Sequence, residues 1–469
     1  MTDVLRETAL YIDGRWVPGG GSDLEVLDPA TEEVTGVVTQ ASTDDVEAAV
    51  AAARAAFPAW AATPVPERAA VLRRVRDVVV ERADVFAATV TRELGAPPKV
   101  ARALHVDTPV AVIDATIDAL ERFAFTSEIG NSVVRREPVG VVAAITPWNL
   151  PLHQVVVKVV PALAAGATVV LKPAGLTPLA AFELARAFDD AGLPPGVFNL
   201  VSGSGRTVGD LLTRHPGVDQ VSFTGSTPVG RQIAGVAAET LKRVTLELGG
   251  KSASVVLADA DDELLATAVK ITVANCFLNS GQTCTALSRL VVPADRLERV
   301  EELAAAAAAK YAPGTRLGPL VSAEQRKEVE SYLDPASGGA SAVTVFGGAA
   351  LPERGWYVSP TVISRVEPDS RLAQEEVFGP VLAVLAATSD DEAVAIANNS
   401  IYGLGGAVWG ADGEAALAVA ARLQTGQVDV NGAAFNPGAP FGGYKQSGTG
   451  REIGEHGIAD VCEIKAVQR

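Results

Sequence analysis

At 469 residues the chain is too long for one hydrophobic core, and its length points to two or three domains. Hydrophobic residues make up 48% and charged residues 20%, an ordinary globular balance, and a net charge of −17 argues against a nucleic-acid or anionic-membrane surface. Three cysteines (Cys276, Cys284 and Cys462, with no CxxC) and four histidines are too few for a disulfide framework or a Cys/His zinc site. Reduced thiols, no bound metal and a cytoplasmic location are therefore expected. The N-terminus has no signal-peptide core, and the longest apolar runs, at 155–167 and 304–309, are too short or too interrupted to span a bilayer.

Residues 9–17 alternate around Asp13-Gly14, the pattern of a β-hairpin. Ser42 and Thr43 then offer caps, with Asp45 behind them, to an alanine-rich helix reaching Trp60. Pro66 opens a second helix in which Val71, Leu72, Val75, Val78 and Val79 form one stripe. That pattern ends near Leu94-Gly95, before Pro97-Pro98. Residues 126–139 read as a polar, hairpin-like insertion. From Val141 the rhythm becomes strand, helix, strand, helix, with strands at 141–145, 168–171, 198–201, 220–223 and 243–246. Amphipathic stretches at about 155–165, 178–191, 206–214 and 228–240 separate them. A second alternation runs from 254–257 through 428–431, after a boundary near Gly249-Gly250. The fold class is α/β, with two open sheets in tandem and helices on both faces. The 315–356 region is richer in Gly, Ser and Glu and is expected at the surface. Residues 461–467 alternate, and an inter-subunit sheet would cover such an edge.

Several stretches carry chemistry. Asn149, in Thr146-Pro147-Trp148-Asn149-Leu150-Pro151, follows a strand end, where open α/β sheets bind ligands, although a turn asparagine would look the same. Lys172 closes the next strand and can bond ribose or phosphate oxygens, or simply be solvated. Gly203-Ser204-Gly205-Arg206-Thr207-Val208-Gly209 is one residue longer than the usual dinucleotide fingerprint. Phe223-Thr224-Gly225-Ser226 runs from a strand straight into a helix, whose N–H groups and dipole suit a pyrophosphate; a plain tight turn is the alternative. Glu247 is a carboxylate among apolar residues, fit for a general base if burial raises its pKa, or else ion-paired with Lys251 or Lys242. Glu376 can hold ribose hydroxyls while Phe378 bears on a flat heterocycle, unless that ring is core. Cys284 sits between short polar residues after an apolar helical run, where it is a nucleophile or a small buried hydrophobe.

Together these stretches resemble the NAD(P)-dependent aldehyde dehydrogenase superfamily over nearly the whole chain. The motifs run in the family's order: Pro147-Trp148-Asn149, Lys172-Pro173, Phe223-Thr224-Gly225-Ser226, Glu247-Leu248-Gly249-Gly250, Gly281-Gln282-Thr283-Cys284, Glu376-Val377-Phe378-Gly379-Pro380 and Pro440-Phe441-Gly442-Gly443-Tyr444-Lys445. The resemblance implies a Rossmann-like cofactor domain (1–120 and 140–249), a Rossmann-like catalytic domain (250–447), and an oligomerisation element with a C-terminal tail (121–139 and 448–469). It implies Cys284 as nucleophile, Asn149 with the cysteine's own N–H as oxyanion hole, and Glu247 as activator of the hydrolytic water. Lys172 joins the catalytic set and also the cofactor set, with Gly225, Ser226, Glu376 and Phe378. Thr146, Pro147, Trp148, Gly205, Gly209, Phe223, Leu248 and Gly249 complete the expected cofactor wall. Leu150, Gln154, Val157, Thr283, Thr285, Phe435 and Phe441 are the expected substrate pocket, with Trp409 a further ring. The family's tetramers, pairs of dimers, are the implied assembly.

One position departs from the family's pattern. Members that prefer NAD carry a glutamate three residues after the lysine matching Lys172; here that residue is Gly175. A carboxylate there would repel a 2′-phosphate, so both NAD and NADP are open, with a slight lean to NAD. No Arg occurs among Leu150, Gln154 and Val157 to hold a substrate carboxylate. A medium aliphatic or aromatic aldehyde is expected over a semialdehyde acid. A coenzyme A-acylating dehydrogenase would usually lack the glutamate matching Glu247, and a non-catalytic binding protein would have no need of Cys284, Glu247 and Asn149 together.

Overall fold

The computed structural model describes residues 4–469. Five short apolar runs form the parallel centre of an eight-stranded sheet, in the order Arg243–Glu247, Gln220–Thr224, Val141–Ile145, Thr168–Lys172 and Phe198–Leu200. Every residue of the middle three strands is buried, because helices cover both faces. Alternate residues feed two cores: Val142 and Ala144 pack with the Pro151–Ala165 and Leu179–Asp190 helices, Val141 and Ala143 with the Thr43–Ala62 helix. The expected Asp13-Gly14 hairpin extends one edge, Ala9–Ile12 pairing with Phe198–Leu200. Gly448–Thr449 closes the other edge beside Arg243–Glu247.

Register brings the carboxyl ends level. Ile145 pairs with Lys172 and Phe223, and Thr224 with Glu247. Strands after Val141–Ile145 are added first on one side and then on the other, so the crevice between it and Gln220–Thr224 is a topological switch point.

The second sheet has seven strands: Val343–Phe346, Thr361–Ser364, Val381–Ala387, Arg289–Pro293, Ala253–Val256, Gly406–Trp409 and Asp429–Val430. All pairings are parallel except that of the first strand, which comes from the Gly/Ser/Glu-rich 315–356 region. A third sheet joins the 126–139 hairpin, as strands Thr126–Ile129 and Ser132–Pro138, to the terminal strand Cys462–Gln468. The segment before that strand packs on the first sheet, with Ile453, Ile458 and Val461 in its core.

Two local expectations need amendment. The stripe opening at Pro66 is two helices, Val65–Glu81 and Ala83–Leu94, because Arg82 leaves helical geometry (φ −96°, ψ 17°). A further sheet of Leu5–Glu7, Glu33–Thr39 and Asp23–Asp28 lies where no strand was read. The Ser42 cap does form, as a box in which Ser42 and Asp45 satisfy each other's backbone N–H. Among the described residues no helix is long and apolar enough to cross a membrane.

Candidate active site

The Asp262–Phe277 helix stops abruptly, and Asn279, Ser280 and Gly281 follow with φ of 52°, 59° and 76°. Three successive left-handed residues are costly and persist only where the surroundings hold them. Here Asn279 Nδ2 donates to the Asn149 carbonyl (2.9 Å), Ser280 Oγ to the Gly318 carbonyl (2.8 Å), and Gln282 Oε1 accepts from Val321 N–H (2.9 Å). A Cβ on Gly281 would lie 2.1 Å from the Gly379 carbonyl carbon, so only glycine fits. The loop delivers Cys284 into a wall between two spaces.

On one side is a cavity of about 290 Å³. Leu150, Gln154, Val157, Thr283, Thr285, Phe435 and Phe441 all line it, as does Trp409. On the other side is a groove of about 240 Å³ at the switch point, walled by Pro147, Trp148, Asn149, Gly225, Ser226, Leu248, Gly249, Glu376 and Phe378. Gly205, Gly209 and Phe223 belong to a separate, open groove of about 780 Å³ farther along the strand ends. Thr146 and Lys172 line none of these three spaces and are buried at the strand ends. Lys172 Nζ donates to the carbonyls of Pro173 (2.7 Å) and Gly203 (3.3 Å), which leaves one of its three donors for a ligand.

The groove presents open backbone donors. Helix Thr227–Ala238 starts at Ser226 with no side-chain cap, so its first N–H groups are open to an anion. A Cβ on Gly225 would lie 2.4 Å from the Phe223 ring, and one on Gly249 2.4 Å from Glu376 Oε2, so glycine at these two positions lets Phe223 and Glu376 pack against the turns. Phe378 (φ 55°) meets Trp148 edge-on at 5.3 Å.

Charge is arranged around the thiol. Cys284 is part-exposed in the wall, yet burial first, then Glu376 and Glu247, push its pKa up to about 12, so the resting group is a thiol. Glu247 is 2% exposed, and among the described residues neither carboxyl oxygen has a hydrogen-bond partner. Burial, then Glu452, raises its pKa well above the carboxylate range, against the pull of Lys158. The alternative of an ion pair fails: Lys242 Nζ donates to the His215 carbonyl, and Lys251 Nζ has no hydrogen-bond partner among the described residues. Lys158 instead pairs with Glu452 at 2.5 Å. Glu247 fits against the Pro440-Phe441-Gly442-Gly443 turn, because a Cβ on Gly442 (φ 151°) would lie 2.6 Å from its Oε1. Asn149 Nδ2 spends one hydrogen on the Gln282 carbonyl (3.0 Å) and keeps the other. Glu376 Oε1 accepts from Gly250 N–H (3.0 Å), and burial moves its pKa up to about 7. Cys276 and Cys462 are buried, donating to the carbonyls of Val381 and Ile458.

Sequence reading missed other wall residues. His153 shares a helix face with Leu150, Gln154 and Val157, and Ile271, Asn275 and Leu278 share another, so helical spacing could have found them. Gln325 and Glu328 reach the groove from a surface helix and left no local signal.

The model of the aldehyde dehydrogenase family matches residues 16–467. The chain is 45% identical to 3-succinoylsemialdehyde-pyridine dehydrogenase of a Pseudomonas species, over 97% of each chain, and 43% identical to geranial dehydrogenase of Castellaniella defragrans, over 98% of each. Among solved structures, a mutant of aldehyde dehydrogenase C from Pseudomonas syringae, complexed with NAD+ and octanal, superposes with a TM-score of 0.95 at 45% identity, covering 98% of this chain and 96% of that one. An aldehyde dehydrogenase of Mycobacterium tuberculosis complexed with NAD+ gives 0.96 at 40% identity, covering 100% and 99%. With the fold, the two-sided thiol and the match agreeing over the whole chain, the protein belongs to the aldehyde dehydrogenase family and is an oxidoreductase acting on the aldehyde group.

Proposed function

We propose that Cys284 is the nucleophile, Asn149 an oxyanion donor and Glu247 the base that activates water, in the NAD(P)-dependent oxidation of an aldehyde to a carboxylic acid. The observation that carries this is the place of Cys284 in the wall common to the apolar cavity and the glycine-lined groove. An aldehyde in the cavity meets the thiol at its carbonyl carbon. The thiol proton passes to solvent water, the thiolate sulfur adds, and the spare N–H of Asn149 holds the resulting oxyanion, a contact worth about 3 kcal/mol in related chemistry. The nicotinamide, when bound in the groove, supplies the acceptor for the hydride. Cys284 then carries the acyl group as a thioester, which splits oxidation from hydrolysis. Glu247, unpaired and proton-hungry, takes a proton from water, and the hydroxide so formed releases the acid.

In this reading Ser226 and the open helix end hold the pyrophosphate, the spare donor of Lys172 bonds ribose or phosphate oxygens, Glu376 holds ribose hydroxyls and Phe378 bears on a flat heterocycle. NADP is accepted as well as NAD, because Gly175 sets no carboxylate against a 2′-phosphate; a side chain there would press on Leu24 at 2.9 Å. An NADP kcat/KM at least a thousandfold below that with NAD would overturn this. The substrate is a medium aliphatic or aromatic aldehyde. Support comes from the largely apolar cavity and from two proteins the chain resembles, one named for geranial and one bound to octanal.

The domain division is proposed as cofactor (1–120 and 140–249), catalytic (250–447) and oligomerisation (121–139 and 448–469) parts, in a cytoplasmic homotetramer. The third sheet supports this, since it exposes Ile129 (68%) and Ile464 (73%) along its edges. Light scattering giving a monomer would remove the assembly. The test of the chemistry is Cys284→Ala: unchanged aldehyde-dependent reduction of NAD would exclude Cys284 as nucleophile.

A further inference from the structure

The cavity beside Cys284 is apolar over most of its wall, but one carboxylate stands in it without a counter-ion. Asp429 lies on the edge strand Asp429–Val430 of the second sheet, opposite Ala407. Side chains alternate along a strand, so Val428 and Val430 pack into the core while Gln427 and Asp429 line the cavity. No hydrogen bond or ion pair engages the Asp429 side chain among the described residues. Its carboxyl is part-buried, and that burial raises its pKa from the ordinary range.

The other charged groups at this wall do not answer it. Among the described residues no Lys or Arg lines the cavity. Glu452, also in the lining, is already paired with Lys158 at 2.5 Å. His153 is held neutral by burial, which lowers its pKa to about 4. Among the described residues, Asp429 is therefore the one carboxylate lining the cavity that no cation answers. A cation placed there would restore the carboxylate's partner, whereas a second carboxylate would meet repulsion in a site of low polarity.

Position sets the chain length. A Cβ on Gly405 would lie 3.9 Å from both Gln427 and Thr285, so Gln427 sits close to the nucleophile's neighbour. Asp429 is two residues, about 7 Å, farther along the strand. A group that meets it must stand several carbons from the aldehyde carbon.

We propose that Asp429 is a specificity-determining residue that favours aldehydes carrying a positive charge several carbons from the carbonyl and disfavours those carrying a distal carboxylate. The proposal rests on aldehyde oxidation at Cys284 and names the substrate class for it. The test uses the full-length enzyme and two aldehydes of the same shape, 4-(trimethylammonio)butanal and its uncharged isostere 5,5-dimethylhexanal, with 5-oxopentanoate as the anion. The readout is the ratio of kcat/KM values within each enzyme, so that any general loss cancels. The wild type should prefer the cation over the isostere by about tenfold, and the anion should rank last. Asp429→Asn, and Asp429→Ala as a second variant, should bring the ratio of cation to isostere down to about one. A wild-type ratio of one or less, or a ratio unchanged in both variants, overturns the assignment to Asp429. A wild type that oxidises none of the three overturns this proposal, while the reading of Cys284 stands or falls separately with Cys284→Ala.

Discussion

On the groove side of Cys284 the wall is largely main chain and strand-end turn: Gly225, Gly249, an uncapped helix start, and the Pro147-Trp148-Asn149 turn. On the cavity side it draws side chains from the helical stretches around 104–108, 150–157 and 271–278, together with the Cys284 loop, Trp409 and the 427–435 segment. The first construction suits a ligand whose phosphates and sugars are constant, since backbone N–H groups change little with sequence. The second suits a ligand that varies, since each wall position can be exchanged without moving the sheet. Cys284 belongs to both walls, and the residues that should matter most are those nearest that junction.

The largest effect is expected at the junction itself. Cys284→Ala should lower aldehyde oxidation by at least about 10⁴-fold, since removal of a nucleophile leaves only binding and oxyanion contacts. Steady-state rates, with circular dichroism to check folding, decide it. Next comes Glu247→Gln, expected to cost about 10² to 10⁴-fold in turnover while a first burst of reduced cofactor survives, because the loss falls on thioester hydrolysis. A variant with no burst would move Glu247 to an earlier step. The same base has a pH signature. Its pKa is raised, so it is protonated at low pH and becomes competent as pH rises through that value; hydrolysis should climb with pH in the wild type and not in the Gln variant.

Asn149→Ala should lower kcat by about 10² to 10³-fold, as loss of one oxyanion donor does elsewhere. An unchanged kcat would mean that the spare N–H does not touch the reacting oxygen. The smallest effects test the contrast between the walls directly. Phe378→Ala should raise KM for the cofactor by roughly two- to tenfold with little change for the aldehyde, the size of one aromatic contact. Phe435→Ala should do the reverse. If both substitutions move both constants equally, the two spaces are not separate in the working enzyme.

The same contrast explains what could be read beforehand. Groove residues sit in contiguous motifs at strand ends, where a local pattern of apolar run, glycine and helix start carries its own meaning. The strands at 141–145 and 220–223 were legible for the same reason, since burial on both faces demands unbroken apolar runs. The break at Arg82 was not, because the helical stripe continues through it and the deviation is one residue's backbone. Glu452 and Lys158 are far apart in the chain and meet only through packing of the C-terminal segment on the first sheet.

The sequence by itself determined the α/β alternation and singled out Cys284, Glu247 and Asn149 as candidates, because each sits in a short stretch with its own local pattern. Tertiary structure alone decided that Cys284 faces two spaces, that Glu247 is left without a partner rather than paired with Lys251 or Lys242, and that Asp429 stands uncompensated in the substrate wall. Those are properties of burial and of distances across the fold, and they set the pKa of the base and the charge that a substrate meets.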